Sequence, residues 1–390
     1  MKDPLGTLTC RRDDFRIPAD IHYLNCAYMG PLPRVAEEAG VAGVRGKATP
    51  WTIGPDDFFA TSESVKRRFA RLVGGREEEI AIHPSVSYAV ATAARNLEVS
   101  AGSRIVVLAE QFPSNLYAWR RHAREGGAEL HAVPRPPSAT PGAAWNEAIL
   151  AAITPATAIV ALPTIHWTDG TIFDLVAIGA RAREVGAALV IDGTQSIGAM
   201  PFALDEVQPD LVVAAGYKWL LGPYSTALTW LGERFADGVP LEEGWIAREG
   251  SRDFQGLVDY TDAYAPGRVR YDVGERSNFA LLGALDASLA LVSEWGADRI
   301  GAYCARLTRP LLDTARDLGF GVEEERFRAD HLFGLRMPAG VDLAHLGATL
   351  ASRAIHTSLR GSALRVSPHL YNDEADIDAL TAVLREGVGG

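Results

Sequence analysis

Three residues in one stretch could do chemistry together. Lys218 sits inside an apolar run, AAGYKWLLGP, and Asp192 and Gln195 stand earlier in IDGTQSIGAMPF. A lysine in apolar surroundings has its pKa lowered, because desolvation disfavours the ammonium form. Its amine can then form a Schiff base with an aldehyde. A carboxylate close by can keep a pyridine nitrogen protonated, so that the ring acts as an electron sink. Pyridoxal 5'-phosphate (PLP) needs both groups. Lysine is scarce here: the others are Lys2, Lys47 and Lys66, all in polar surroundings. The plainer reading is a lysine snorkelling out from a sheet edge. The acid and amide that precede Lys218 favour the chemical one.

Two strands must position these groups. Ala188–Ile191 and Asp210–Ala215 are continuous runs of small and β-branched apolar residues, with no polar alternation. That pattern predicts parallel strands covered on both faces. Asp192 and Gln195 follow the first run, and Tyr217 and Lys218 follow the second. Ligands of open parallel α/β sheets bind at such carboxyl ends. EEEIAIHPSVSYAVATAARNL (Glu77–Leu97) reads strand–turn–helix, with Ser85 and Ser87 where the helix begins. Free backbone N–H groups and the positive dipole end favour a phosphate there; plain serine capping is the alternative. Apolar strands are also expected over Gly102–Ala109 and Ala158–Gly170. Residues 34–48 and Asp174–Val185 read as helices. Ser62–Val73 reads as a basic amphipathic helix with a solvated charged face. His131–Trp145 is a Pro-rich loop, and Trp245–Arg268 is an irregular segment. Strand and helix alternate, which predicts right-handed parallel crossovers.

Composition narrows the field. The chain has 390 residues, 47% of them hydrophobic, enough for one large domain and a smaller one. The expected division is a large domain over 23–265 and a small one from 1–22 with 266–390. A net charge of −11 and no basic stripe argue against a nucleic-acid partner. No run of about 18 apolar residues occurs, and the N-terminus lacks a signal-peptide core, which argues against a membrane. Cys10, Cys26 and Cys304 are too few and scattered for a disulfide framework, so a cytoplasmic setting is expected. The histidines show no metal-ligand spacing, so no metal is expected.

IDGTQSIGAMPF followed by DLVVAAGYKWLLGP resembles the class V aminotransferase family of fold-type I PLP-dependent enzymes, which includes cysteine desulfurases, selenocysteine lyases, kynureninases and isopenicillin N epimerase. The resemblance covers nearly the whole chain. It implies an α/β fold of type I, with a large, mainly parallel sheet and a smaller C-terminal α/β domain. It implies PLP on Lys218, Asp192 against the pyridinium, and Gln195 at the ring hydroxyl. Ser85, Val86 (through its N–H) and Ser87 would grip the phosphate. The backbone near Ala27 would approach the substrate carboxylate. FPSNLYA and LPTIHWTDG resemble the kynureninase branch, which makes Phe112 the ring-stacking candidate and sets Thr164, His166 and Trp167 near the pocket. His166 would bond the ring hydroxyl or the substrate, or else be a core histidine. GERSN resembles the segment that reaches the partner subunit's phosphate in a homodimer, through Ser277 and Asn278. ALRVSPHLYNDEADID would place Arg365 on the substrate α-carboxylate, with Arg360 the nearby alternative.

The sequence departs from the desulfurases in two places. Ala215 stands where they carry a phosphate-binding serine, and Tyr217 can supply a hydrogen bond instead. IHTSLRGSALR lacks the cysteine that a persulfide mechanism needs. The expected substrate is a small amino acid. Aminotransferase chemistry ranks first because it asks for the fewest further groups. A lyase without a cysteine nucleophile or an epimerase is the alternative, and a PLP-bound regulatory protein is the non-enzyme reading.

Overall fold

The computed structural model describes residues 6–388. Residues 1–5, including Lys2, belong to the expected N-terminal segment and lie outside the described residues.

The continuous apolar runs form the central layer. After a two-residue strand, β1 (His22–Tyr23), seven strands build one sheet: β2 (Ile80–His83), β3 (Arg104–Leu108), β4 (Glu129–Val133), β5 (Thr157–Pro163), β6 (Ala188–Asp192), β7 (Leu211–Ala215) and β8 (Ala227–Leu231). Their order is β2-β8-β7-β6-β5-β3-β4. Neighbours from β7 through β4 pair in parallel, and β8 runs antiparallel to both β7 and β2. β2, β6, β7 and β8 are buried along their whole length, which is why they lack polar alternation. The chain builds β3 and β4 outward, then turns back through β5, β6 and β7. A reversal of this kind opens a crevice at the carboxyl ends of the strands.

Alternate residues of each strand feed two cores. Val106, Leu108, Val160, Leu162 and Val212 pack on one face; Ile105, Val107, Ile159, Ala161 and Val213 pack on the other. The covering helices are α1 (Arg34–Gly46), α2 (Asp57–Val73), α3 (Val86–Asn96), α4 (Tyr117–Gly126), α5 (Gly142–Ala152), α6 (Leu175–Val185), the short α7 (Leu204–Val207) and α8 (Phe279–Trp295). A second unit holds α9 (Ala297–Asp317), β9 (Phe333–Arg336), α10 (Leu343–Ser352), β10 (Ile355–His356), β11 (Ser358–Arg360), β12 (Ala363–Val366) and α11 (Glu374–Val388). Its antiparallel sheet has the order β11-β12-β9, and β10 pairs in parallel with β1. This is the α/β architecture that the sequence predicts. No single helix among the described residues is long and apolar enough to cross a membrane.

Several elements differ from expectation. α2 begins five residues earlier than Ser62, at Asp57. Its basic residues are not all solvated: Lys66 lies on the stripe of Ser62, Val65, Phe69 and Val73 and is buried. Nor are its surroundings simply polar. Its Nζ lies 2.7 Å from the Asp272 carboxylate, which also binds Arg276 at 2.5 Å and accepts the Ile82 N–H at 2.7 Å. His131–Val133 belongs to the edge strand β4 rather than to the Pro-rich loop. The reversed strand β8 is not among the strands that the sequence predicts. α8, which a boundary at 266 assigns to the small domain, packs on α1 and α2 and places Leu282, Leu285 and Leu289 in the large-sheet core.

Removing one acid from a buried group of two bases leaves charge uncompensated. Asp272→Ala is expected to cost about 3–5 kcal/mol of stability, read as a lowered urea midpoint by circular dichroism. An unchanged midpoint would show that the cluster does not hold α2 to the sheet.

Candidate functional site

Successive strands deliver their polar residues to one end of the sheet. There they line a cavity of about 250 Å³. β2 leads into α3, whose cap is Ser85: its Oγ accepts the Tyr88 N–H at 3.2 Å and lies 2.9 Å from Ser87 Oγ. The N–H groups of Val86 and Ser87 open the helix and have no intrahelical acceptor. β3 leads to Phe112, β5 to Trp167, β6 to Asp192 and Gln195, and β7 to Tyr217 and Lys218; all line the cavity. Because β8 runs backwards, the residues before it, Tyr224 to Thr226, arrive at the same end.

Lys218 is 5% exposed. Burial pulls its amine down to about 8, with Asp192 opposing the shift and Arg365 and Arg360 adding to it. Its Nζ lies 5.2 Å from the centre of the Phe112 ring and 5.6 Å from that of Tyr217. Burial pushes the Asp192 carboxyl up, against the Thr194 N–H and hydroxyl and the charge of Lys218. The Thr194 N–H reaches it at 3.0 Å. Burial also raises the Tyr217 hydroxyl to about 12, so it stays a neutral donor.

The Gln195 amide is pinned. Trp219 can only donate, and its Nε1–H reaches Gln195 Oε1 at 3.0 Å; the Ala27 carbonyl can only accept, and it takes the Gln195 Nε2–H at 3.2 Å. The amide orientation follows from chemistry, and one N–H remains to serve the cavity. The Ala27 N–H is itself taken by Ser367 Oγ at 3.0 Å. Gly30 keeps this segment close: a Cβ there would lie 2.2 Å from the Lys218 carbonyl.

Arg365, 1% exposed, does not itself line the cavity; it lies behind Trp167, which does. Its Nη1 donates to the Trp167 carbonyl at 2.9 Å, and its Nη2 lies 3.4 Å from both Asn25 Oδ1 and Ser358 Oγ. Its Nε has no partner. Burial, then the charge of Arg360, lowers its guanidinium to about 10.

Not every candidate joins this group. His166 is fully buried, with its ring 4.9 Å from that of Trp145 and its Nδ1 2.8 Å from Thr168 Oγ1; it does not line the cavity. Every second residue, Pro163, Ile165 and Trp167, faces the cavity, so Thr164 and the histidine between face away, as extended backbone alternates. Thr164 is likewise buried, on Ser196. Ser277 bonds the Phe58 carbonyl, and Asn278 caps α8 by accepting the Leu281 N–H at 3.0 Å. Both lie at a separate surface depression with Lys47 and Trp245. Thr194, Thr226, Asn25 and Ser358 stand at or beside the site beyond the expected set. Thr194 sits inside the Asp–x–x–Gln motif and was within reach of the sequence; the others depend on long-range contacts.

A family model, aminotransferase class V, matches residues 56–380. The chain belongs to the class V aminotransferase family. PLP is the cofactor of that family, and the donor set fits it: a desolvated amine, a buried carboxylate, an aromatic face and a helix N-terminus share one cavity. Among class V relatives, isopenicillin N epimerase of Streptomyces clavuligerus is 27% identical over 93% of each chain. Kynureninase of Geobacillus thermodenitrificans is 27% identical over 79% of this chain and 72% of its own. A solved structure of a lysine-to-alanine mutant of C-DES, with glycine covalently linked to its PLP cofactor, has a TM-score of 0.85 at 19% identity, covering 97% of this chain and all of that one. At that identity the likeness is one of fold. The class V family spans aminotransferases, lyases and an epimerase, so membership leaves the reaction open.

A lysine whose folded pKa is depressed binds fewer protons than the unfolded chain between about pH 8 and pH 10.5. Stability rises with pH across that window, and the penalty is complete below pH 8. Lys218→Met should therefore stabilise the cofactor-free protein at pH 7 by on the order of 3 kcal/mol, and the gain should vanish by pH 10.5. Urea titrations at the two pH values measure it; a gain independent of pH would mean that Lys218 is not desolvated.

Proposed function

We propose that the protein is a PLP-dependent enzyme acting on a small α-amino acid, with aminotransferase chemistry as the first reading. The observation that carries it is the desolvated Lys218 amine in one cavity with Asp192, with Arg365, which has no acid partner among the described residues, bonded to the carbonyl of the cavity residue Trp167. When bound, PLP supplies an electron sink for a bond broken at the substrate Cα. Asp192 would keep a proton on the ring nitrogen and Gln195 would offer its free N–H to the ring oxygen. The N–H groups of Val86 and Ser87, with the hydroxyls of Ser85, Ser87 and Tyr217, would bind the phosphate, and Phe112 would cover the ring face. Arg365 would fix the α-carboxylate, and the Lys218 amine, once exchange with the substrate amine has freed it from the cofactor, would be the base for the α-proton, its burial lowering its pKa to about 8.

A second reading, a lyase without a cysteine nucleophile, has specific support. The segment between Ser358 and Val366 is a tight hairpin, β11 to β12, turned by Gly361 at φ +56°. It has neither a cysteine nor the length to carry one to the cavity. Cys26 is buried, and burial pushes its thiol up to about 12. The edge-to-face pair of Phe112 and Trp167, 5.5 Å apart, forms an aromatic wall of the cavity.

The working form in this reading is a homodimer in the cytoplasm. Large apolar side chains stand open on this chain, among them Tyr260 (97% exposed), Trp51 (81%) and Val258 (76%). Ser277 and Asn278 would meet the partner's cofactor. All three cysteines are free, which fits a reducing compartment.

The visible absorbance of the purified protein, titrated with amino acids, tests the chemistry. A band that bleaches with an amino acid and returns with a keto acid means transamination. A band that shifts as ammonia, sulfide or a β-cleaved product appears means a lyase. No band after adding PLP overturns the reading. Lys218→Ala should abolish borohydride-fixed cofactor; cofactor still reducible onto a lysine would move the attachment elsewhere. Sedimentation should give twice the 41.9 kDa chain mass, and a monomer at micromolar concentration would remove the dimer.

A further inference from the structure

We infer that the substrate is an α-amino acid with a second carboxylate in its side chain, and that Arg360 holds this second carboxylate. The inference rests on the proposed function for the α-carboxylate and Arg365, and adds the other end of the molecule.

The β11–β12 register carries the argument. Ser358 pairs with Arg365, and Arg360 pairs with Ala363. Directly opposed residues of an antiparallel pair point to one face, and so do residues two apart along a strand. Ser358 and Arg365 therefore share a face, and Arg360, two residues from Ser358, shares it too. Two guanidinium groups leave the same face of one hairpin as diagonal neighbours.

Both meet Trp167. The Arg360 Cζ lies 5.6 Å from the centre of the Trp167 ring, and Arg365 Nη1 donates to the Trp167 carbonyl. Trp167 lines the cavity that holds Lys218 and Asp192. The charge of Arg360 is felt by Arg365 and by Lys218, both of which it disfavours as cations.

Neither arginine has an acid. Among the described residues, Arg365 bonds only neutral oxygens, those of Trp167, Asn25 and Ser358, and Arg360 bonds the Leu359 carbonyl. The Nε of each is buried without a partner. Other arginines of the same unit are paired: Arg336 with Asp169 and Arg353 with Glu386. Two neighbouring cations behind the cavity residue Trp167 repel one another, and one bound carboxylate relieves one of them. A substrate with two carboxylates relieves both. The planar fork of each arginine suits a planar carboxylate and orients it. The Trp167 ring lies against Arg360, where an aromatic face attracts a guanidinium.

The experiment compares acids with their amides. The PLP-loaded protein is titrated with aspartate, glutamate and 2-aminoadipate, and with asparagine and glutamine, and the dissociation constants are read from the visible band. At least one acid should bind about tenfold tighter than its amide or than an uncharged amino acid of equal length. Arg360→Gln should abolish that preference, whereas Arg365→Gln should weaken acids and amides together. Arg360 is half-exposed on a hairpin, and retention of the visible band by the variant shows that it has folded. Glutarate, which has both carboxylates and no amine, should bind the native protein more tightly than butyrate by calorimetry. Amides that bind as well as acids, or a preference that persists in Arg360→Gln, would overturn the inference and leave the proposed function standing. A band that answers to no amino acid would overturn both.

Discussion

Desolvation is the constraint on which the site depends. An amine and a guanidinium are costly to take out of water, and Lys218 and Arg365 are both almost wholly removed from it. The fold holds Lys218 there beside a buried carboxylate and Arg365 among oriented neutral groups. Lys218 has Asp192 at the next strand end and aromatic faces beside it. Arg365 has a backbone carbonyl, an amide and a hydroxyl. Neither set neutralises the charge fully, so each side chain remains reactive toward an incoming group. The parallel sheet makes this possible, because its buried strands end together and deliver one functional residue each.

The segment after β5 joins the two halves of the site. Trp167 lines the cavity and anchors its indole N–H on the Glu110 carbonyl at 2.7 Å. Two residues on, Asp169 binds Arg135 of the large unit at 2.5 Å and Arg336 of the small unit at 2.8 Å. Its backbone carbonyl also accepts the Gly334 N–H. Gly170 follows at φ +71°, where a Cβ would lie 1.9 Å from the Leu332 carbonyl. The small unit is thus keyed to the loop that forms the cavity wall. Arg365, which bonds the carbonyl of Trp167, keeps its place relative to Lys218 through this contact.

Much of this was legible in the sequence, and the exceptions have physical causes. Strands β6 and β7 announce themselves because burial on both faces removes polar alternation, and the polar residues after them must lie at the strand ends. The start of α3 is equally plain, since a serine cap after an apolar strand marks the turn. Lys66 misled because a basic residue on a helical stripe looks solvated until its partner, Asp272, arrives from far along the chain. For His166 residue type alone leaves a site role and a core role open, because which face of the alternating segment meets the cavity depends on where the strand's neighbours lie. β8 escaped because its reversal depends on which neighbours it finds. The arginine pair on β11 and β12 needed the hairpin register, which neither strand shows alone.

The hairpin that carries Arg360 and Arg365 has one more consequence. Where a desulfurase extends a cysteine-bearing loop, this chain closes the strand pair with Gly361 and Ser362 alone. Cys26 and Cys304 are sealed in the core, and Cys304 lies in α9. Among the described residues no cysteine lines the cavity, so a persulfide relay has no thiol in the cavity with Lys218 from which to start.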